Sequence, residues 1–183
     1  MRQENPIIFL IETLLDLYIV VLMLRFILQQ VRADFYNPIS QFIVKATSPV
    51  LNPVRRIVPG VGGIDLATII VVIVFIAFKV WVVVMLQGYS PSILALLLTG
   101  IRDFISLALN IFIFAIIVQA ILSWVNPDPY NPVSGILHSI TYPVLRPFRS
   151  LIKPIGGLDL SPLFALIALM FTERLVNYLF SLI

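Results

Sequence analysis

Four long apolar stretches alternate with shorter, more polar ones along the chain. They run over about Ile7–Val31, Leu66–Leu86, Arg102–Val125 and Pro162–Ile183. Each holds roughly 20 or more residues, the length that an α-helix needs to cross a hydrocarbon layer about 30 Å thick. The pattern therefore predicts an all-α membrane protein with four transmembrane helices.

The third apolar stretch is longer than one span requires. Continuous helix over Ser92–Val125 would be about 51 Å long at the usual rise per residue. The surplus, residues 92–101, fits three structures: an interfacial segment, a re-entrant turn, or an extension of the third helix.

The composition agrees with lipid as the solvent for much of the surface. Hydrophobic residues make up 60% of the chain and charged residues 11%, whereas a soluble domain is about 45–50% apolar. The absence of cysteine excludes disulfides, thiolate metal sites and a cysteine nucleophile. One histidine, His138, and the lack of HExxH, GxSxG or phosphate-loop patterns predict a protein that is not an enzyme and uses no cofactor or metal. The basic residues are read as topology signals and lipid contacts, so no direct contact with nucleic acid is expected.

The chain also matches itself at a shift of 94 residues. Between Asp34 and Leu66, 15 of 33 positions are identical to those between Asp128 and Leu160. Most of the matches fall on proline, glycine, asparagine, aspartate, tyrosine and arginine rather than on the common aliphatic residues, which indicates a duplication. We expect two tandem units, residues 1–91 and 92–183, each with two spans. Because each unit holds an even number of spans, the copies face the same way, as a parallel repeat.

The repeated residues form a loop motif between the two spans of each unit. Its candidate functional residues are Tyr36, Asn37, Pro38, Pro49, Pro53, Arg55, Gly62, Gly63 and Asp65 in the first unit, and Tyr130, Asn131, Pro132, Pro143, Pro147, Arg149, Gly156, Gly157 and Asp159 in the second.

The motif predicts a proline-broken amphipathic helical hairpin. Asn37 followed by Pro38 is typical of a helix N-cap with proline at the first helical position, and the next apolar residues have helical spacing. We expect this helix to end before Pro49, and the element after it to kink or break at Pro53. A glycine pair then supplies a tight turn, and Asp65 can cap the next span.

Three roles fit such a hairpin on the cytoplasmic side. It could only anchor the spans, with its apolar face in lipid and its arginines on anionic headgroups. It could be a docking surface for a cytoplasmic or membrane protein partner. It could also be a re-entrant element that lines a pore or cavity.

The distribution of basic residues gives the orientation. The two loops carry most of them, and the connection over residues 87–99 has none: the loop residues are Arg32, Lys45, Arg55, Arg56, Arg146, Arg149 and Lys153. By the positive-inside rule both loops are cytoplasmic and both termini lie outside.

Ionisable residues also occur inside the spans, where each costs about 2.5–3.5 kcal/mol on the insertion scale and should have a partner. The candidate intramembrane charge network is Glu12, Asp16, Lys79, Glu173 and Arg174. Depth along the helices predicts that Lys79 pairs with Glu12 or Asp16. Such groups either fix helix packing as ion pairs or form a proton or cation path.

One motif set carries a resemblance. Tyr-Asn-Pro, then Pro-Val-Leu-x-Pro-x-Arg, then Gly-Gly-x-Asp-Leu occurs twice, each time between two spans. This arrangement resembles the YggT family, also called YlmG in other bacteria and represented in chloroplasts, and the doubled form resembles that of Gram-negative bacteria. The resemblance implies a multi-pass protein of the bacterial cytoplasmic (inner) membrane. It links the chain to osmotic stress, potassium homeostasis and the cell-division neighbourhood, and in chloroplasts to nucleoid distribution. It implies no catalytic or ion-binding residue.

Two functions fit the sequence. The first is a membrane scaffold or assembly factor that acts through the loops on a cytoplasmic or membrane protein partner. The second is a small ion-homeostasis transporter or channel subunit for potassium or protons. Because four helices are few for a monomeric pathway, the second function would require a homo-oligomer.

Overall fold

Six α-helices make up the fold. The computed structural model describes residues 5–125, 131–152 and 159–182. The helices are α1 (Pro6–Gln30), α2 (Pro38–Ile57), α3 (Leu66–Leu86), α4 (Ile93–Val125), α5 (Pro132–Leu151) and α6 (Ser161–Ser181). Four of them, α1, α3, α4 and α6, are long and apolar enough to cross a membrane. The chain is therefore a multi-pass, all-helical membrane protein over the described residues.

The hydropathy pattern located the spans well. Helices α1, α3 and α6 begin and end within two residues of the predicted first, second and fourth spans. Helix α4 begins at Ile93 rather than near Arg102. Of the three structures considered for residues 92–101, the helix extension is the one observed.

The predicted caps and turn are confirmed where the structure describes them. Asn37 Oδ1 accepts a hydrogen bond from Ile39 N at 2.9 Å, with proline at the helix start. Asn131 Oδ1 accepts from Val133 N at the same distance. Gly62 and Gly63 have φ of 62° and 83°, which suits a tight turn that only glycine adopts at no steric cost.

The prediction that prolines break the helix of each loop is wrong. Helices α2 and α5 each run unbroken for 20 residues, through Pro49 and Pro53 in α2 and through Pro143 and Pro147 in α5. We expected each to stop before its first internal proline, because proline removes a hydrogen bond and its ring crowds the carbonyl four residues earlier.

Burial explains why α2 continues through its prolines. Its buried positions Ser40, Ile43, Thr47 and Leu51 form one stripe that extends past Pro49. Both prolines lie on the opposite, exposed face. The crowded carbonyls therefore face the surroundings, while packing of the stripe holds the helix together on both sides of the prolines.

Helix α2 leans along the side of α1. The Tyr18 hydroxyl donates to Ala46 O, in the middle of α2, at 3.4 Å. Tyr18 lies 12 residues, about 18 Å, before the end of α1. The middle of α2 thus packs beside α1 rather than beyond its end, and Ile43 and Leu51 join the same core as Ile19.

Each half contains an antiparallel pair of spans. In the first half, Lys79 contacts Asp16 and Phe75 contacts Tyr18, so residue numbers rise along α1 as they fall along α3. The halves meet where α4 crosses α3. A Cβ on Gly100 would lie 3.0 Å from the Ile73 side chain and 3.3 Å from its carbonyl oxygen, so glycine allows the two helices to approach this closely.

Candidate functional site

Each half carries an ion pair at the loop end of its spans, which we call a clamp because it joins the end of one helix to the start of the next. In the first clamp, Arg55 Nε donates to Asp65 Oδ2 at 3.1 Å, and Nη2 of the same guanidinium bonds the same oxygen. Asp65 is only 5% exposed and the Arg55 side chain 29%. The first clamp therefore ties the end of α2 to the start of α3.

Further hydrogen bonds complete the first clamp. Asp65 caps α3 by accepting from Thr68 N at 3.2 Å and from Thr68 Oγ1 at 2.6 Å. Arg55 Nη2 also donates to Gln29 Oε1 at 3.2 Å. Arg55 thus links the ends of α1 and α2 to the start of α3.

These contacts set the protonation state of Asp65. Burial raises the pKa of this carboxyl, but hydrogen bonds from Thr68 and Arg55 and the Arg55 charge outweigh it, so the pKa lies below its ordinary value. Asp65 is held as a carboxylate, which is the form that both caps the helix and pairs with arginine.

The second clamp uses Arg149 and Asp159 at the positions 94 residues later. Arg149 Nε donates to Asp159 Oδ2 at 2.9 Å, and Asp159 Oδ1 accepts from Ser161 N at 2.9 Å. Burial again raises the pKa of Asp159, but hydrogen bonds from Ser161 and Arg149 lower it by more. The pKa of Asp159 therefore also lies below its ordinary value. Both side chains of the ion pair are 40% exposed, so the second clamp is more exposed than the first.

A polar pair lies near the middle of each pair of spans. Lys79 Nζ is 2.7 Å from Asp16 Oδ1, which confirms the predicted pairing of Lys79. Asn110 Nδ2 donates to Glu173 Oε1 at 2.9 Å. These two contacts join equivalent positions of the halves, with an ion pair in the first and an amide–carboxyl contact in the second.

The five predicted intramembrane charges do not form one network within the described residues. Lys79 binds Asp16, and Glu173 binds Asn110, which the sequence did not single out as a partner. Among the described residues, Glu12 and Arg174 form no ion pair with the others.

The remaining motif residues are structural or exposed. The asparagines cap α2 and α5, and the glycine pair makes the turn before α3. Tyr36 is 90% exposed, and the four internal prolines also lie on the exposed faces. Three predicted residues fall outside the described part of the chain: Tyr130, Gly156 and Gly157.

Two threonines with a structural role were overlooked. Thr47 and Thr141 are fully buried, and their hydroxyls donate to the carbonyls of Ile43 and Leu137. The Thr141 hydroxyl also lies within hydrogen-bond distance of Gln119 Oε1, so the two oxygens share its one proton. The sequence signal was available, because the two threonines are identical across the 94-residue shift. Within the described ranges, no group of three or more histidine, aspartate or glutamate residues could hold a metal ion.

Comparison with known proteins assigns the chain to a family. A family model described as CCB3/YggT matches residues 4–86 and again residues 92–180. The chain belongs to the CCB3/YggT family. The predicted resemblance to the YggT family is therefore confirmed.

Individual relatives agree with this assignment. The chain is 37% identical over 166 residues to the uncharacterized protein YggT of Escherichia coli strain K12, covering 90% of this chain and 86% of the relative. An uncharacterized protein of Pseudomonas aeruginosa is 50% identical over 171 residues, covering 92% and 87%. The YlmG homolog protein 2, chloroplastic, of Arabidopsis thaliana is 39% identical over 64 residues, covering 33% and 24%. No solved structure matches the chain significantly.

Proposed function

We propose that this CCB3/YggT-family chain is a non-enzymatic scaffold or assembly factor of the bacterial cytoplasmic (inner) membrane. It consists of two units, residues 1–91 and 92–183, whose loop sides both face the cytoplasm and whose termini lie outside. The bilayer and its anionic headgroups hold the units, and a cytoplasmic or membrane protein partner docks on their loop side. A role in osmotic stress or in envelope and division processes is the cellular setting that this proposal favours.

The proposal rests on a difference between the basic residues of α2 and α5: some are paired within the fold and others are exposed. Arg55 and Arg149 are bound to aspartates within the fold, so they support the helices. Arg56 and Arg146 lie on the exposed sides of α2 and α5. Exposed apolar side chains accompany them, including Phe42, Ile57 and Tyr142. A rigid frame with exposed basic and aromatic residues suits partner binding, since aromatic residues and arginine are enriched at protein interfaces.

Site-specific photo-crosslinking tests this function. A photoreactive residue at position 56 or 146, in cells producing the protein, should give discrete crosslinked bands with a protein partner. The matched control is position 179 in α6, which is also exposed but lies at the other end of its helix. Substituting Arg55 instead would mainly test stability, because that side chain belongs to the first clamp. Equal crosslinking at positions 56, 146 and 179, or none at 56 and 146, would overturn the scaffold proposal.

One observation favours the alternative function, a potassium or proton transporter or channel subunit. Glu173 is a carboxyl group near the middle of α6 whose partner in the described chain is a neutral amide, Asn110. A carboxyl without a compensating cation inside a membrane is typical of proton relays and ion pathways. Purified protein in liposomes distinguishes the two functions. Flux of potassium or protons that falls on Glu173→Gln, but not on the exposed control substitution Asn177→Gln, would support the alternative and contradict a scaffold.

A further inference from the structure

A cavity of about 480 Å³ lies between α4, α5 and α6, in the second half of the molecule. Its lining is mainly apolar and includes Ala120, Leu163 and Leu166 beside the buried Ile116 and Leu145, and it also includes both residues of the second clamp, Arg149 and Asp159. Its size falls within the range of pockets that bury small ligands, roughly 300–1,000 Å³.

The first half has a pocket beside its own clamp. This loop-side pocket, about 370 Å³, is lined by Gln29, Arg55, Asp65 and loop residues between Val58 and Ile64. The positions equivalent to Ile116, Leu145 and Leu166 are Leu22, Leu51 and Val72, and none of them lines it. Ile116 and Leu145 are as buried as Leu22 and Leu51, but Leu166 is partly exposed where Val72 is fully buried. The cavity of the second half therefore extends between the helices at Leu166.

The two halves differ in sequence along the α4 side of the cavity. Where α1 carries Gln29, which accepts a hydrogen bond from Arg55, α4 carries the smaller Ser123. Where α1 carries Arg25, α4 carries Gln119, whose oxygen is engaged by the Thr141 hydroxyl. Phe26, whose ring packs against Phe104 of α4, is replaced by Ala120, which lines the cavity. Three smaller side chains thus form the α4 side of the cavity.

The surroundings of the cavity are those of a lipid site. The nearby outer face of α6 exposes Leu163, Phe164 and Ile167, so the cavity lies beside a surface that suits acyl chains. At the mouth, Arg149 uses Nε for Asp159, and a guanidinium has further N–H donors that suit a phosphate. The clamp as a whole has no net charge, so it complements a head group that carries both a phosphate and an ammonium.

We propose that this cavity binds one membrane phospholipid with a zwitterionic head group. The acyl chain lies against Ala120, Leu163 and Leu166, the phosphate accepts hydrogen bonds from Arg149, and the ammonium lies near Asp159. This site is independent of the proposed scaffold function, since it would serve any protein that holds these helices in lipid.

Native mass spectrometry of the full chain, purified in mild detergent and mixed with phosphatidylethanolamine, tests the site. The wild type should retain one lipid. The double substitution Ala120→Phe with Ser123→Gln restores the residues of the first half, and should lower the affinity roughly tenfold, the effect of excluding about two buried methylene groups. Ile117→Phe, on the exposed face of α4, adds volume outside the cavity and should leave binding unchanged. Equal retention by the double variant and the control, or equal competition by diacylglycerol without a phosphate, would overturn the proposal.

A second measurement avoids any dependence on the folding of the filled variant. The chain has no cysteine, so Ser123→Cys provides a single thiol at the cavity and Ile121→Cys provides one on the exposed face of α4. Added phosphatidylethanolamine should slow maleimide labelling of position 123 several-fold relative to position 121. Equal slowing at both positions would show that the lipid does not enter the cavity and would overturn the site.

Discussion

At the scale of single residues, the two clamps use the same amino acids in different surroundings. Asp65 is nearly inaccessible and accepts hydrogen bonds from Arg55 and Thr68, whereas Asp159 and Arg149 are each 40% exposed. Breaking a buried ion pair leaves a desolvated charge, but an exposed pair contributes little. The two clamps should therefore differ in their contribution to stability even though the sequence repeats them identically.

Asparagine substitutions measure this difference. Asp65→Asn should lower the free energy of unfolding by about 2 kcal/mol, because Arg55 loses its partner in a largely buried site while the amide retains part of the hydrogen bonding. Asp159→Asn, the matched control, should cost at most about 1 kcal/mol. Equilibrium unfolding in mixed micelles gives both values. Equal losses for the two substitutions would show that burial does not distinguish the clamps.

The first clamp should also make stability depend on pH. The pKa of Asp65 lies below its ordinary value of 3.8, so the unfolded chain takes up this proton at a higher pH than the folded chain does. The stabilisation by Asp65 is complete above the unfolded pKa and is lost as the pH falls through the folded pKa. The wild type should therefore lose its stability advantage over Asp65→Asn as the pH is lowered below about 4. Melting temperatures of both proteins across this range provide the test, and a constant difference between them would contradict it.

The sequence predicted these residues but not their roles. Periodicity and capping rules place Asp65 before α3, and they gave the cap correctly. Arg55 was expected at lipid phosphates in one of the proposed roles, whereas it bonds Asp65 and Gln29. The local sequence does not show which partner Arg55 binds, because that depends on how α1, α2 and α3 meet.

At the scale of elements, the internal prolines of α2 and α5 show where local rules fail. Proline inside a helix costs about 3 kcal/mol or more in an isolated chain. In α2 the buried stripe from Ser40 to Leu51 runs past Pro49 and packs against α1 and α3. Tertiary packing therefore outweighs the local cost, and the predicted break does not occur.

Replacing both prolines of α2 tests whether packing outweighs their local cost. The double substitution Pro49→Ala with Pro53→Ala should leave the helical content measured by circular dichroism unchanged, because these residues are already helical. The melting temperature should stay the same or rise, since two amide hydrogen bonds become available. Pro59→Ala, in the loop after α2, is the control for loss of proline rigidity. A clear gain in helix content would indicate that the prolines do interrupt α2.

At the scale of the whole molecule, the spans were predictable and the contacts between halves were not. Hydropathy alone gave α1, α3 and α6 nearly to the residue, because a membrane span is a property of local composition. The meeting of α3 with α4 at Gly100, and the hydrogen bond from Asn37 to Pro132 O at 2.8 Å, join residues far apart in the chain. Such contacts depend on side-chain fit between helices and carry no local signal.

The same limit applies to the cavity of the second half. The smaller residues on its α4 side, Gln119, Ala120 and Ser123, are visible once the two halves are compared position by position. Which of these side chains would be diverted, and whether neighbours would fill the space, depends on contacts such as that of Gln119 with Thr141.

We propose that the two loop sides lie together on the cytoplasmic face and form one working surface. Because the chain has no cysteine, single thiols report its topology directly. Arg56→Cys and Arg146→Cys place one thiol on each exposed loop-side helix, and Tyr89→Cys places one in the exposed connection between α3 and α4. A membrane-impermeant maleimide should label positions 56 and 146 only in inverted membrane vesicles, and position 89 only in intact cells with a permeable outer membrane. Labelling of positions 56 and 146 from opposite sides of the membrane, or of both from outside, would contradict the claim.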